Sequence, residues 1–164
     1  MNKHRVFISL GSNLKDRYTN IKLAIYYLSS LGKVLKKSSI YETSPVENKN
    51  QPNFLNCVVE LRTILSPFKL LKELKKIEKK LGRVKTNKRY QPRTIDLDIL
   101  FYDKEIISTK ELTIPHEKLH KRKFVLWPLA EIAPNFIHPV LKKTIKKIKN
   151  ELRDKTQKIY RIKE

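Results

Sequence analysis

Apolar and polar residues alternate in several short segments of the chain, as they do in β-strands. The alternation predicts strands over residues 6–10, 33–41, 55–61 and 94–101. We expect Gly11-Ser12-Asn13 to end the first strand, because these residues favour loops. The strand over 55–61 is expected to bury one face and to carry a mixed second face. After the last strand, Asp103-Lys104 predicts a turn into a short hairpin that returns over residues 105–107.

Between these strands the apolar residues follow helical spacing. One helix is predicted near residues 16–31, closed by Gly32. A second is predicted over 67–81, with Ser66 as its N-cap, Pro67 at its first position and Gly82 just past its end.

Two further apolar segments lie toward the C-terminus. Residues 124–132 predict a short helix, and the tail from residue 141 predicts an amphipathic helix that packs on the sheet. The polar stretch from 43 to 53, with two prolines, predicts a loop.

This order, βαββαβ with additions at the C-terminal end, predicts one domain over residues 1–164. Antiparallel strands with helices on one face form an α+β sandwich. With 40% hydrophobic residues the chain has enough apolar side chains for a core, which excludes a mainly disordered protein. No apolar run reaches the roughly 18–20 residues of a membrane span, and the first residues lack a signal-peptide pattern, so we expect a soluble cytoplasmic protein.

Cysteine and histidine are too sparse for the common metal centres. Cys57 is the single cysteine, which excludes an intrachain disulfide and a thiolate zinc site, and its apolar neighbours predict that it is buried. The pair His116 and His120 lacks the acidic residues of a zinc-protease helix.

The charge is strongly positive, with 37 Lys and Arg against 16 Asp and Glu, a net charge of +21. Such a charge is typical of a nucleic-acid-binding module, and it is also produced by a general lysine-rich bias. The lysines are dispersed over predicted helix surfaces, which favours bias. An RNA- or DNA-binding module on the same frame stays open as the alternative.

The segment most informative about chemistry is Arg93-Thr94-Ile95-Asp96-Leu97-Asp98. In a strand, Asp96 and Asp98 share one face while the apolar residues beside them face the core. Two carboxylates so close together favour a bound hard cation, and magnesium with a phosphate substrate is the usual case. Such a pair would repel a nucleic acid unless a metal were bound.

Basic residues immediately before this strand point to a polyphosphate substrate, and they are Arg83, Lys85, Lys88, Arg89 and Arg93. The chain has no glycine-rich Walker loop, so side chains would hold the phosphates. A metal-dependent nucleotidyl transferase with another acceptor remains possible on these residues.

Several ordered motifs resemble one known family, the 6-hydroxymethyl-7,8-dihydropterin pyrophosphokinases of folate synthesis. They are Leu10-Gly11-Ser12-Asn13-Leu14, Tyr41-Glu42-Thr43-Ser44-Pro45, Gln51-Pro52-Asn53-Phe54-Leu55-Asn56, Gly82-Arg83, Pro92-Arg93-Thr94-Ile95-Asp96-Leu97-Asp98, Pro115-His116 and Phe124-Val125-Leu126-Trp127-Pro128-Leu129. The resemblance implies a ferredoxin-like α+β sandwich. It also implies transfer of pyrophosphate from ATP to the pterin hydroxymethyl group, with release of AMP.

The resemblance assigns roles to individual residues. It implies that Asp96 and Asp98 bind two magnesium ions and that Arg83 and Arg93 take part in catalysis. The positions implied to bind ATP are Lys85, Thr113, His116, Arg122 and Glu78.

The pterin is implied to bind a second set of residues. Asn56 would read the edge of the ring, with main-chain groups near Thr43, Ser44 and Val46, while Tyr90 and Phe124 would stack on its faces. Phe54 is a further candidate pterin contact. The implied partners are ATP and the pterin, with no membrane, and the implied state is a monomer.

Some positions depart from the family pattern and leave adenosine binding less defined. They are Lys85, Tyr90, Gln91, Glu111 and Glu117. Two polar segments, residues 46–53 and 83–92, are expected to act as lids over the substrates.

Overall fold

A computed structural model describes residues 3–45, 50–82, 94–154 and 157–162 of the chain. Its strands are β1 (His4–Ser12), β2 (Lys33–Lys37), β3 (Tyr41–Thr43), β4 (Phe54–Thr63), β5 (Asp96–Tyr102), β6 (Ile107–Ser108), β7 (Thr113–Ile114) and β8 (Ile159–Arg161). Its α-helices are α1 (Arg17–Leu28), α2 (Pro67–Lys80), α3 (Lys123–Ile132) and α4 (Ile145–Glu151). A single 3-10 turn, Leu119–Lys121, precedes α3.

The main sheet is antiparallel, and its strands lie in the order β5-β1-β4-β3-β8. Strand β2 also pairs with β4, beside β3. Strands β6 and β7 pair separately as a small two-stranded sheet. The mixed α/β class predicted from the sequence is thereby confirmed, with β5 at one edge of the main sheet.

Two local predictions about strand ends are wrong. Strand β1 does not stop at Gly11, because Gly11 pairs with Asn56 on one side and with Asp96 on the other. Pairing with two neighbouring strands outweighs the loop preference of the local sequence. The hairpin predicted after β5 is also not formed, because β6 pairs with β7 instead.

Asp103 explains where the chain leaves β5. Its backbone N–H donates to the carbonyl of Arg5 at 2.7 Å, and its carboxylate accepts from the N–H of Arg5 at 2.8 Å. The φ of Asp103 is 49°, so the chain turns away from the main sheet at this residue.

Helices cover both faces of the sheet, so the prediction of helices on one face is wrong. Helices α1 and α2 pack on the face that carries Ile8 and Cys57, whereas α3 and α4 pack on the face that carries Phe7 and Val58. Strand β4 is therefore buried on both faces, and Val58 is fully buried. The mixed face predicted for residues 55–61 is wrong because the C-terminal helices cover it.

The predicted end of the first helix is wrong, because α1 ends at Leu28 and Ser29 is its C-cap. Gly32 instead packs against β4, where a β-carbon would clash with the Arg62 carbonyl oxygen.

The ends of α2 follow the predicted signals. The Ser66 side chain accepts from the Lys69 N–H as the N-cap of α2, and Gly82 follows the helix with a φ of 98°. The predicted amphipathic tail is confirmed by α4, whose Ile145 and Ile148 are buried. Strand β8 was not predicted.

Cys57 is buried and is not part of a disulfide, as predicted. In the described ranges of the chain, every helix is too short or too polar to cross a membrane.

Candidate active site

One row of paired residues crosses three strands of the sheet. Asp96 on β5 pairs with Gly11 on β1, and Gly11 pairs with Asn56 on β4. Directly paired residues of an antiparallel sheet point to the same face. The row therefore places a carboxylate and an amide on the face that α3 covers farther along the sheet, with a glycine between them.

Asp96 and Asp98 lie side by side on this face, as their spacing predicted. Both are partly exposed, while Leu97 between them is buried in the opposite core. They line a pocket of about 490 Å³. Its walls are formed by Leu71, Lys75, Glu78, Asp96, Leu97, Asp98, Ile99, Glu111, Leu112, Thr113, His116, Glu117, Lys118 and Arg122.

The donor set of this pocket fits a hard divalent cation. Asp96 and Asp98 supply carboxylate oxygens that Mg²⁺ prefers. No group of three Asp, Glu, His or Cys side chains suited to a metal occurs in the part of the chain that the structure describes. Proteins commonly hold Mg²⁺ with one or two carboxylates and complete its shell with substrate phosphates and water.

His116 lies in the pocket with its ring held in one protonation state. Its backbone N–H donates to the carbonyl of Leu100 at 3.0 Å, which fixes the residue beside β5. Its Nδ1 accepts from the Lys118 N–H at 3.2 Å, so the ring proton is assigned to Nε2. Burial, and then the charge of Arg122, lower the pKa of His116 to about 4, so the ring is neutral at pH 7.

Glu78 approaches the aspartates from α2. Its side chain is buried, and its Oε2 accepts from the Leu97 N–H at 2.8 Å. Because β5 is an edge strand, half of its N–H groups face away from β1 and need another partner. The carboxylate therefore fixes the backbone between the two aspartates.

Two further residues predicted to bind ATP also line the pocket. Thr113 lies on β7, and Arg122 lies directly before α3. The guanidinium carbon of Arg122 is 5.3 Å from the ring centre of Phe124, which places this pocket residue next to one predicted stacking ring.

Thr43 and Phe54, two of the residues predicted to bind the pterin, lie beside Asn56. The Asn56 Nδ2 donates to the Thr43 hydroxyl at 2.6 Å, and both side chains are buried. A β-carbon built on Gly11 would lie 2.8 Å from the Asn56 Oδ1 and 3.6 Å from the Phe54 ring. Phe54 is half-buried beside this group, and Phe124 is half-buried at the start of α3.

Ser44 is adjacent to Thr43, but its polar groups are taken up by the C-terminal segment. Its N–H donates to the Lys158 carbonyl at 3.0 Å, and its hydroxyl accepts from the Lys158 N–H at 3.0 Å. Its carbonyl accepts from the Gln157 side chain at 2.7 Å. The N–H, hydroxyl and carbonyl of Ser44 are therefore all hydrogen-bonded to the C-terminal segment.

Some predicted site residues fall outside the described residues. They are Val46, Arg83, Lys85, Tyr90 and Arg93, together with the predicted lid over 83–92 and residues 46–49 of the other lid.

The sequence reasoning did not single out several residues that line the pocket. Lys75 lies one helical turn before Glu78 on α2, so helical spacing was the signal that could have identified it. Lys118 also lines the pocket, two residues after His116. Glu111 and Glu117, which were singled out only as departures from the family pattern, line the pocket as well.

A crystal structure of Plasmodium falciparum HPPK-DHPS superposes with a TM-score of 0.73 over 92% of this chain and 45% of that one, at 18% identity. This likeness concerns the fold.

Sequence comparisons are more specific. The 2-amino-4-hydroxy-6-hydroxymethyldihydropteridine pyrophosphokinase of Aquifex aeolicus is 45% identical over 146 residues, which cover 89% of this chain and 91% of the relative. The enzyme of the same name from Bacillus subtilis is 48% identical over 77% of this chain and 76% of its own. The folic acid synthesis protein fol1 of Pneumocystis carinii is 50% identical over 82% of this chain, which spans 18% of that protein.

The family model described as 7,8-dihydro-6-hydroxymethylpterin-pyrophosphokinase matches residues 7–134. That range contains the row from Asp96 to Asn56 and every described side chain that lines the pocket. The chain therefore belongs to the 7,8-dihydro-6-hydroxymethylpterin-pyrophosphokinase family.

Proposed function

We propose that the chain transfers the pyrophosphoryl group of ATP to the hydroxymethyl group of 6-hydroxymethyl-7,8-dihydropterin and releases AMP. The observation that supports this most is the row in which Asp96, Gly11 and Asn56 are paired. Neighbouring strands are about 4.8 Å apart, so the carboxylate and the amide arise from backbones about 10 Å apart. That separation suits an acceptor held at Asn56 whose hydroxyl reaches a triphosphate held at Asp96.

The frame that supports this site is proposed to be ferredoxin-like. Strands β2 and β3 both pair with β4 and act as two halves of one outer strand. Counting them as one, the strands follow the order fourth-first-third-second, with α1 and α2 as the two crossovers. That is the arrangement of a βαββαβ unit.

Asp96 and Asp98 are the residues that would hold two Mg²⁺ ions. When bound, the ions would neutralise charge on the triphosphate and on the attacking hydroxyl. The Glu78 Oε2 accepts a hydrogen bond from the Leu97 N–H at 2.8 Å. This bond fixes the backbone between the two aspartates and limits how far they move apart. This fixed placement lowers the cost of assembling the site.

The nucleotide phosphates would meet several donors in the pocket. His116 presents a neutral ring with its proton on Nε2, so it acts as a hydrogen-bond donor and stays a donor throughout the neutral range. Arg122 adds a fixed positive charge and Thr113 a hydroxyl. These side chains would orient the leaving AMP and the transferred group.

The acceptor would be recognised by Asn56 and its neighbours. One Nδ2 hydrogen of Asn56 is engaged by Thr43, so the Oδ1 would accept from a ring N–H of the pterin while the second Nδ2 hydrogen could donate to it. Phe124 offers an aromatic face for the ring, and Phe54 lies beside the amide. A fused pterin ring with a donor-rich edge matches this combination.

We further propose that the enzyme works as a cytoplasmic monomer. Cys57, the single cysteine, is buried and forms no disulfide, which is in keeping with a reducing compartment.

The competing function is binding of RNA or DNA, which the charge of +21 favours. A binding titration separates the two. The protein is titrated with the pterin in the presence of Mg²⁺ and a non-hydrolysable ATP analogue, and in parallel with random-sequence RNA, at low and physiological salt.

Pterin binding is expected to change little with salt, whereas RNA affinity is expected to collapse, because lysine–phosphate contacts depend on counterion release. Tight RNA binding at physiological salt without pterin binding would reverse the proposal.

A further inference from the structure

The C-terminal segment contacts the proposed pterin site from the outside. Here the segment 157–161 is called the C-terminal clasp; it comprises Gln157, Lys158 and β8. Strand β8 pairs with β3, so that Ile159 lies opposite Thr43 and Arg161 opposite Tyr41. The clasp thereby extends the main sheet by one strand next to the residue that holds Asn56.

Several hydrogen bonds of the clasp are made with Ser44, the residue that follows Thr43. The N–H, hydroxyl and carbonyl of Ser44 are bound by Lys158 and Gln157, at 3.0, 3.0 and 2.7 Å. Thr43 in turn accepts from Asn56 at 2.6 Å. The clasp is therefore connected to the amide proposed to read the pterin through hydrogen bonds to Ser44, the backbone from Ser44 to Thr43, and the hydrogen bond between Thr43 and Asn56.

Gln157 also connects the clasp to the other side of the pterin site. Its backbone carbonyl accepts from the Lys123 Nζ at 3.1 Å, and Lys123 is the first residue of α3, directly before Phe124. One residue thus bridges the segment that carries Thr43 and the segment that carries the proposed stacking ring.

The far end of the clasp is anchored separately. Arg161 donates to the Ser39 hydroxyl at 2.9 Å and lies 3.6 Å from a carboxylate oxygen of Glu131. Glu131, on α3, also accepts from the Tyr41 hydroxyl at 2.7 Å. The clasp is therefore attached to β3 and to α3 at both of its ends.

The environment of the Gln157 side chain is unusual for an amide. It is 5% exposed, and its Oε1 is buried with no hydrogen-bond partner within the described residues. A buried acceptor without a partner is unfavourable, so the side chain is not explained by stability alone. Its donor, the Nε2, is the atom that binds the Ser44 carbonyl.

We propose that the clasp is a positioning device for the acceptor, in which Gln157 and Ser44 hold Thr43 and Phe124 at the separation that the pterin requires. This inference rests on the proposed function. It concerns a segment outside residues 7–134, the part of the chain that matches the family model. Ser44 is then a positioning residue and not a direct contact of the pterin.

The decisive variant is Gln157→Met. Methionine has nearly the same length and no amide, so it removes the bond to Ser44 together with the unpartnered Oε1. Because one favourable and one unfavourable contribution are lost together, the melting temperature is expected to stay within about 3 °C of the wild type. Tyr160→Thr is the matched control, since Tyr160 lies in the same clasp, on β8, with an exposed side chain.

Binding is measured for the pterin, in the presence of Mg²⁺ and the non-hydrolysable ATP analogue, and separately for the Mg²⁺-bound analogue alone. We expect Gln157→Met to weaken pterin binding about tenfold and to leave nucleotide binding within twofold, because only the acceptor side loses its fixed geometry. Steady-state kinetics should show the same split, with a raised KM for the pterin and an unchanged KM for ATP. Tyr160→Thr should change neither.

Ser44→Ala, which removes the hydroxyl that accepts from Lys158, is the second variant and should weaken pterin binding in the same direction. It keeps the test valid if Gln157→Met does not fold. Unchanged pterin binding in a folded variant, or an equal loss of pterin and nucleotide binding, would overturn the positioning role proposed for the clasp and would leave the proposed function intact. Absence of pterin binding in the wild type would overturn both.

Discussion

The amide oxygen of Asn56 lies 2.8 Å from the position that a β-carbon on Gly11 would take. The two residues are paired across β1 and β4, and Gly11 is also paired with Asp96. A glycine at this place lets the Asn56 side chain extend across the neighbouring strand toward the aspartates. The position of the Asn56 amide therefore depends on the absence of one methyl group at Gly11.

Gly11→Ala is expected to displace the Asn56 side chain and to weaken pterin binding by at least tenfold. A contact of 2.8 Å is too short for a methyl carbon and an amide oxygen, so the amide must move. The strand itself accepts alanine, and unfolding by urea should show a change of about 1–2 kcal/mol at most.

The effect of Gly11→Ala has a direct control. If it acts through Asn56, adding it to Asn56→Ala should cause little further loss of pterin affinity, because the amide it displaces is already absent. Additive losses in the double variant would show that Gly11 acts by another route.

Asp96→Asn and Asp98→Asn are each expected to lower turnover by at least 100-fold, because the lost charges are used mainly in the transition state. Asparagine keeps the size of the side chain, so the free energy of unfolding should change by about 1 kcal/mol or less. Turnover is measured over a range of Mg²⁺ concentrations. Glu105→Gln is the matched control, since Glu105 is an exposed carboxylate outside the pocket. Near-normal turnover in both Asn variants would remove the metal assignment.

Glu78→Ala and Glu78→Gln are expected to differ. The Gln side chain retains an oxygen that accepts from the Leu97 N–H, whereas Ala leaves this N–H without its partner. We expect Ala to cost about 1–3 kcal/mol of stability and to speed hydrogen exchange at the Leu97 amide, with a higher Mg²⁺ requirement in turnover. Gln should restore most of the exchange protection. Equal behaviour of the two variants would show that the bond to Leu97 does not hold β5.

The stability of the fold is expected to fall as the pH drops from about 6.5 toward 4. His138 is buried, and its Nδ1 accepts from the N–H groups of Val140 and Leu141 at 3.1 and 3.0 Å. Burial, and then the charge of His120, lower the pKa of His138 to about 4, against an ordinary value of 6.5. Between these values the unfolded chain binds a proton that the folded chain does not, so acid favours unfolding.

His138→Asn tests this pH dependence. The asparagine oxygen replaces the Nδ1 acceptor without titrating, so part of the loss between pH 6.5 and 4 should disappear. One proton contributes at most about 1.4 kcal/mol per pH unit, which urea unfolding at several pH values resolves. A variant whose stability depends on pH as steeply as the wild type would exclude His138 as the source.

Local signals in the sequence were sufficient for several elements. Helix α2 begins after Ser66 and ends before Gly82, because capping and the left-handed conformation depend on neighbouring residues alone. The shared face of Asp96 and Asp98 likewise follows from strand alternation. The predicted end of β1 was wrong because Gly11 pairs with strands that lie far away in the sequence.

Long-range contacts account for what the sequence did not predict. Val58 is buried by helices that follow it by more than 60 residues, so no local pattern identifies its environment. Gln157 and Ser44 are separated by 113 positions, and neither carries a motif. Asn56 was identified only through resemblance to a family, since a single asparagine in a strand has no local signal of function.

The most direct measurement is of the products formed from ATP. The protein is mixed with Mg²⁺, ATP and 6-hydroxymethyl-7,8-dihydropterin, and nucleotides and pterins are separated over time. We expect AMP to appear in equal amount with a pterin diphosphate, and neither to form when the pterin or the Mg²⁺ is omitted. Formation of ADP with a pterin monophosphate, or no pterin-dependent AMP from a folded protein, would contradict the proposed function.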